Sequence, residues 1–231
     1  MTDFGPTPSS FPVPPPPPPA ARTGPPWENP GPALQRFIDT AKGVLIDPMV
    51  TFANMRREGG LGPPFIYYLV GMLIGILGLF AFMSMGFGGM PFMGGNREAM
   101  AGMAGAAVGL GILLVCCLAV ATIGIFISSG ITHLFLGLFG GQKFGYETTF
   151  RTVAYTQGSI LPVLILPFCG SYIVGIWATV VVIIGLSQMQ ETTVGKSAAA
   201  VLVPYVVCCA LGMILAMTFG ALAFLGAAHA R

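Results

Sequence analysis

Lys143, Glu147 and Arg151 recur every four residues, with Tyr146 among them. On a helix that spacing stacks the charges on one face, where Lys-Glu-Arg pairing is local. The same stripe suits a protein partner or an anionic lipid headgroup docking on this loop. A second cluster is rich in sulfur: Met83, Met85, Met90, Met93, Met100 and Met103 alternate with glycines. Soft thioethers select Cu(I), with Met90 and Met93 the candidate ligands, but no His or Cys accompanies them. Met and Gly also suit an irregular apolar hairpin. The pairs Cys116-Cys117 and Cys208-Cys209 sit inside apolar runs. Neighbours on a helix point about 100° apart, so neither pair chelates one ion alone, and they read as small apolar residues. His133 is an ionisable group in an apolar stretch with no acidic partner in any span, which argues against a proton-coupled carrier. Gly195-Lys196-Ser197 resembles the end of a phosphate-binding loop, but Gln190 stands where the leading glycine is required. Lys196 reads instead as an interfacial charge. No catalytic set and no cofactor is implied, so the expectation is a protein that is not an enzyme.

The elements that position these residues are set by charge. Of 231 residues only 8% are charged and 55% are hydrophobic, far from the quarter or so of charged residues in soluble domains. A net charge of +2 gives no footprint for nucleic acid. Residues 1–32 hold 13 of the 20 prolines and read as a disordered, Pro-rich N-terminal tail. In 33–61, Leu34, Phe37, Ile38, Ala41 and Leu45 recur at helical spacing, opposed by Gln35, Arg36, Asp39 and Lys42. That amphipathic helix either rests on headgroups or packs on another helix, and Asp47-Pro48 ends it before a second short one.

Beyond Glu58 charges nearly vanish, leaving gaps at 59–96, 99–142, 152–190 and 197–230. A crossing needs about 20 residues, so the third gap predicts a hairpin of two with its turn at Pro167 to Ser171. The fold class is thus all-α, a polytopic five-transmembrane-helix bundle over 62–226, followed by a short tail at 227–231. The spans are placed at about 64–85, 103–130, 153–168, 172–189 and 199–224, with 131–139 a continuation or bent interfacial piece. Five spans with a cytoplasmic amino terminus put five Lys/Arg inside and two outside, whereas six spans reverse the bias. Gly71 and Gly75, and Gly105 and Gly109, have the four-residue spacing that lets helices approach closely.

This order of segments resembles the Yip family of Ypt/Rab-interacting membrane proteins. The likeness is carried by Asp47-Pro48 with Thr51-Phe52, by the stretch from Gly140 to Phe150 leading into Arg151, Val153, Ala154 and Tyr155, by Pro162 and Pro167, and by Ile173 to Trp177, Gly185-Leu186, Lys196, Ala198 and Pro204. The resemblance implies a cytoplasmic amino terminus, a helix bundle, homo- or hetero-oligomers in the membrane, and a cytoplasmic partner. Before the first span this chain has Arg56-Arg57-Glu58-Gly59-Gly60 and Gly62-Pro63-Pro64 in place of the eukaryotic Asp-Leu-Tyr-Gly-Pro motif. That departure argues against GTPase binding and suits a bacterial-type member in an inner membrane. The expected role is a non-enzymatic scaffold or adaptor in membrane organisation or trafficking-like processes. The alternatives are a small transporter or channel subunit, with kinks at Pro162, Pro167 and Pro204 shaping a polar path, and Cu(I) handling through the methionine loop.

Overall fold

A computed structural model describes residues 22–86, 97–165 and 169–229; within its helices it leaves aside the side chains of 80, 82–86, 97–110, 113, 165, 169–173 and 220–229. Met90 and Met93 lie outside the described residues, as do the surroundings of Gly105 and Gly109 and most of the Pro-rich tail. The architecture is all-helical, with no strand among the described residues. A short 3₁₀ turn at Pro26–Glu28 precedes α1 (Ala33–Ile46) and α2 (Pro48–Asn54). Then come α3 (Gly62–Gly86), α4 (Arg97–Leu138), α5 (Tyr146–Ile160) with a 3₁₀ extension at Leu161–Ile165, α6 (Cys169–Met189) and α7 (Val194–His229).

Three of these are long and apolar enough to cross a membrane: Gly62–Leu79, Leu114–Leu138 and Val194–Phe219; Val174–Met189 is a shorter apolar helix. The α4 helix runs unbroken to Leu138, so residues 131–138 continue it rather than forming a separate piece. The remaining helix, α5, is of a different kind. It lies at the centre, packed by α1, α3, α4 and α6, and every residue from Thr148 to Thr156 is buried. A helix sheathed by other helices does not need an apolar surface where its polar groups are bonded. Its hydroxyls are: Thr152, Thr156 and Ser159 donate to the carbonyls of Thr148, Thr152 and Tyr155 at 2.9, 2.8 and 2.7 Å. The span expected at about 153–168 falls on a helix that starts earlier, at Tyr146, and is covered by other helices; residues 166–168 lie outside the described residues.

Close packing around α5 relies on missing side chains. A Cβ on Gly71 would fall on the carbonyl oxygen of Gly158, and one on Gly75 would lie 2.5 Å from that of Leu161. Gly158 itself faces the ring of Tyr67, and a Cβ on Gly185 of α6 would lie 2.6 Å from Thr152 Cγ2 of α5 and 3.0 Å from the ring of Phe52 of α2. Where α3 crosses α5, backbone therefore meets backbone.

The amphipathic segment packs on the bundle. Its buried residues are Phe37, Thr40 and Val44, three on one face of α1, whereas Leu34 and Ile38 of the expected apolar stripe are exposed. The stripe is turned because the last part of the supposed free tail fills the groove. Trp27 packs on Phe37 and Tyr67 with ring centroids 6.4 and 5.4 Å away. Its backbone N–H donates to Thr40 Oγ1 at 2.9 Å.

Candidate functional site

The polar chemistry collects at one end of the bundle, where α1, α2, the turn after α4 and the turn after α6 converge. Arg151 lies at its centre and is fully buried. Its Nε donates to the Arg56 carbonyl at 2.9 Å and its Nη1 to the Gly60 carbonyl at 3.0 Å. Its Nη2 meets the Glu28 carboxylate, which also accepts from the Tyr155 hydroxyl at 2.6 Å. Glu147 sits one helical turn before Arg151, 3.7 Å away, and accepts from the Gly60 N–H at 2.6 Å. Arg151 thus ties two separate segments to α5: the strap of residues 22–31 through Glu28, and both ends of the linker between α2 and α3 through Arg56 and Gly60. With both charges desolvated, removing Arg151 strands the Glu28 carboxylate and removing Glu28 leaves Arg151 only the partly exposed Glu147 at 3.7 Å, at a cost of about 3–5 kcal/mol.

The strap is held along its length. Trp27 Nε1 donates to the Pro63 carbonyl at 3.0 Å, and Arg36 donates to the carbonyls of Trp27 and Asn29 at 3.0 Å each. The N–H of Gly24 donates to the Asn54 carbonyl at 3.1 Å. At its start, Arg22 and Arg57 both reach Glu191, and the Arg57 guanidinium lies 3.8 Å from the centre of the Phe144 ring. The hydrogen bond from Arg57 holds the Glu191 carboxyl below the ordinary glutamate range, while burial, then Arg57, lowers Arg22.

A second knot binds the turn after α4. Gln190, wholly buried, accepts from the N–H groups of Lys143 and Phe144 at 3.0 and 2.7 Å. Its amide donates to the Phe144 carbonyl at 3.2 Å and to Thr149 Oγ1 at 3.1 Å. One side chain thereby satisfies a loop whose own backbone has no helix or sheet to join. The helix ends on either side use the same cap. Gly140 (φ 61°) follows α4 and Glu191 (φ 48°) follows α6, with the N–H of Gly141 bonded to the Leu136 carbonyl and that of Thr192 to the Ser187 carbonyl. Lys196 Nζ donates to the Gly140 carbonyl at 2.9 Å, so it seals the first cap rather than reaching freely to the interface.

The residues singled out by spacing separate here. Lys143 is exposed on the loop before α5 and does not extend a helical stripe. Glu147 and Tyr146 are half-buried, Tyr146 sharing a 2.7 Å hydrogen bond with Ser129. Arg151, expected on a docking face, is turned inward because Glu28 and two carbonyls complete its bonding, and it has no surface to offer a partner. His133 Nε2 accepts from the Gln142 amide at 2.9 Å, leaving Nδ1 to pair with Thr149 Oγ1 at 2.9 Å. Cys116, Cys117, Cys208 and Cys209 are exposed on the outer faces of α4 and α7. Among the described residues no group of three His, Cys, Asp or Glu is placed to hold a metal. Glu28 went unnoticed in the sequence, since a lone acid between Trp27 and Asn29 in a proline-rich stretch carries no periodic signal; Tyr155 stood only in the family pattern and Gln190 only as the missing glycine of a phosphate loop, neither as a site residue.

A family model for the Yip1 domain matches residues 42–217, from within α1 to within α7. The chain belongs to the Yip1-domain family. No curated protein and no solved structure matches it. In this Yip1-domain protein Arg151 lies inside the matched region, whereas Glu28, Trp27 and Arg22 lie before it. The strap thus lies before the matched stretch and completes the bonding of an arginine within it.

Proposed function

We propose that this protein is a non-enzymatic membrane scaffold of the Yip1 type, crossing the bilayer five times with the polar end on the cytoplasmic side. The observation that carries the reading is the use of Arg151, Glu28, Tyr155 and Gln190. All are bonded to one another or to backbone in a buried network, which builds a rigid platform rather than an open reactive cleft. Around that platform Lys143, Arg56 and Lys42 are exposed, and they present positive charge to a soluble partner or to anionic headgroups.

Five crossings are supported by direction. The start of α3, the end of α4, the start of α5, the end of α6 and the start of α7 all meet at the polar end. An odd count puts the two chain ends on opposite sides, and a bacterial inner membrane fits the placing of Lys143, Arg56 and Arg57. The exposed apolar faces of α4 and α7 suit homo- or hetero-oligomers within the bilayer.

A photo-crosslinker in place of Lys143, in intact membranes, is expected to capture a distinct soluble protein; capture of lipid and copies of the chain alone overturns the adaptor role. Tags at Met1 and Arg231 are expected to react with an impermeant label from opposite faces. Reaction from one face overturns the five-crossing topology.

A further inference from the structure

Helices α4, α5, α6 and α7 form a closed ring, each packed on the next. Inside it lies a cavity of about 130 Å³ whose lining includes Ser128, Thr132, Gln157, Thr179 and Tyr205. A neighbouring cavity of about 310 Å³ lies between α3, α4 and α5 and shares Ser128 and Gln157 with the first. Each is large enough to hold more than one small polar group or water. Ser128, Gln157, Thr179 and Tyr205 each lie ten or eleven residues from the polar end of their helix. At about 1.5 Å per residue that is about 15 Å, half the hydrocarbon thickness. On the five-crossing reading proposed above, the four helices thus bring one polar layer to mid-membrane.

The layer is not self-satisfied. Ser128, Thr132 and Thr179 donate to carbonyls of their own helices at 3.2, 2.8 and 2.8 Å, and Tyr68 donates to the Ala121 carbonyl at 3.2 Å. Their oxygens remain as acceptors. The Gln157 amide, with two donors and an acceptor, has no hydrogen bond among the described residues, nor has the Tyr205 hydroxyl. An amide left unpaired in hydrocarbon is costly, so a polar partner is called for.

That partner comes from the bilayer. Toward the polar end the same four helices contribute Leu136, Phe150, Leu186 and Ala200, all fully buried in one apolar cluster that shuts the cavity off from the polar end. Sideways it is open: Val120 and Tyr205, which line the two cavities, are 69% and 59% exposed on the outer face. No charged side chain lines either cavity, so the occupant is neutral. The lining offers mostly acceptors together with one amide that both donates and accepts, which matches a hydroxyl. We propose that this cleft binds a neutral lipid alcohol, its hydroxyl on Gln157 and its chain leaving between the helices into the membrane.

The test uses the full chain in liposomes with photoactivatable analogues of a diacylglycerol, an isoprenoid alcohol and phosphatidylcholine. One of the two alcohols is expected to label peptides carrying Gln157 or Tyr205, and excess unlabelled alcohol should compete it away from the unaltered protein. Which alcohol labels identifies the source. Gln157→Leu should lower labelling about tenfold, the loss of one to two hydrogen bonds. Labelling by phosphatidylcholine as strong as by either alcohol, labelling that resists competition, or no labelling of these peptides because water alone fills the cleft would each overturn the proposal.

Discussion

The polar end and the mid-membrane layer hold the same kinds of side chain in opposite states. At the polar end Gln190 makes four hydrogen bonds and Arg151 is completed by a carboxylate and two carbonyls. Halfway down the same bundle Gln157 has none among the described residues. Both sets are built from residues of α5 and its neighbours, so the difference is not one of composition. Polar groups bonded to each other are architecture, and those facing a cavity unpaired call for a partner that the fold itself does not supply.

The comparison is most severely tested by removing the strap. Deleting residues 1–31 takes away Glu28 and Trp27 together and leaves Arg151 buried with only Glu147, 3.7 Å away, as counter-charge, so thermal unfolding in detergent should show a loss of about 5 kcal/mol or no folded protein. A deletion variant as stable as the full chain would mean that the strap merely lies on the bundle. Next in size is the crossing of α3 on α5. Gly71→Ala places a methyl against the Gly158 backbone and should cost about 1–3 kcal/mol or more, while Gly111→Ala, whose Cβ meets nothing within 4 Å, should cost nothing. Equal effects at the two glycines would dissolve the contrast.

A matched pair of substitutions separates the two glutamines. Gln190→Leu strands the N–H groups of Lys143 and Phe144 and should cost about 1–3 kcal/mol, whereas Gln157→Leu should be neutral or stabilising in detergent free of added lipid. Comparable losses from both would show that Gln157 is structural too. The smallest effect is expected at Glu191. Its carboxyl is held low by Arg57, so the pair contributes stability above the ordinary glutamate pKa of about 4.3 and loses it as pH falls through the lower folded value. The side chain is about half exposed and its residue is held at φ 48°, which costs backbone energy that glycine would not. Glu191→Gly should therefore shift stability at neutral pH by no more than about 0.5 kcal/mol, and the difference between Glu191→Gln and the parent should fade on acidification.

Much of the frame was legible because charge is so sparse. The gaps after Glu58 locate α3, α6 and α7 to within a few residues, and the break at Asp47-Pro48 divides α1 from α2, with Asp47 capping the second through the Val50 N–H. The spacing of Gly71 and Gly75 marked a contact surface, although its partner Gly158 stands alone among threonines and gave no pattern. What escaped was the inwardness of α5. Lys143, Glu147 and Arg151 look like a solvated stripe because sequence spacing shows which residues share a face, not what covers it. The cover is Glu28, more than a hundred residues away, in a segment whose composition reads as a tail. Gln157 and Gln190 are likewise indistinguishable as letters; only packing makes one a clamp and the other an open bond.

The Arg151–Glu28 latch is most directly tested by a double-mutant cycle on unfolding of the full chain. Glu28→Leu and Arg151→Met should each cost about 3–5 kcal/mol, and the double variant should cost markedly less than their sum, since no charge is then left stranded. Costs that add to within about 0.5 kcal/mol would show that the two side chains do not depend on each other and that the polar end is held together by something else.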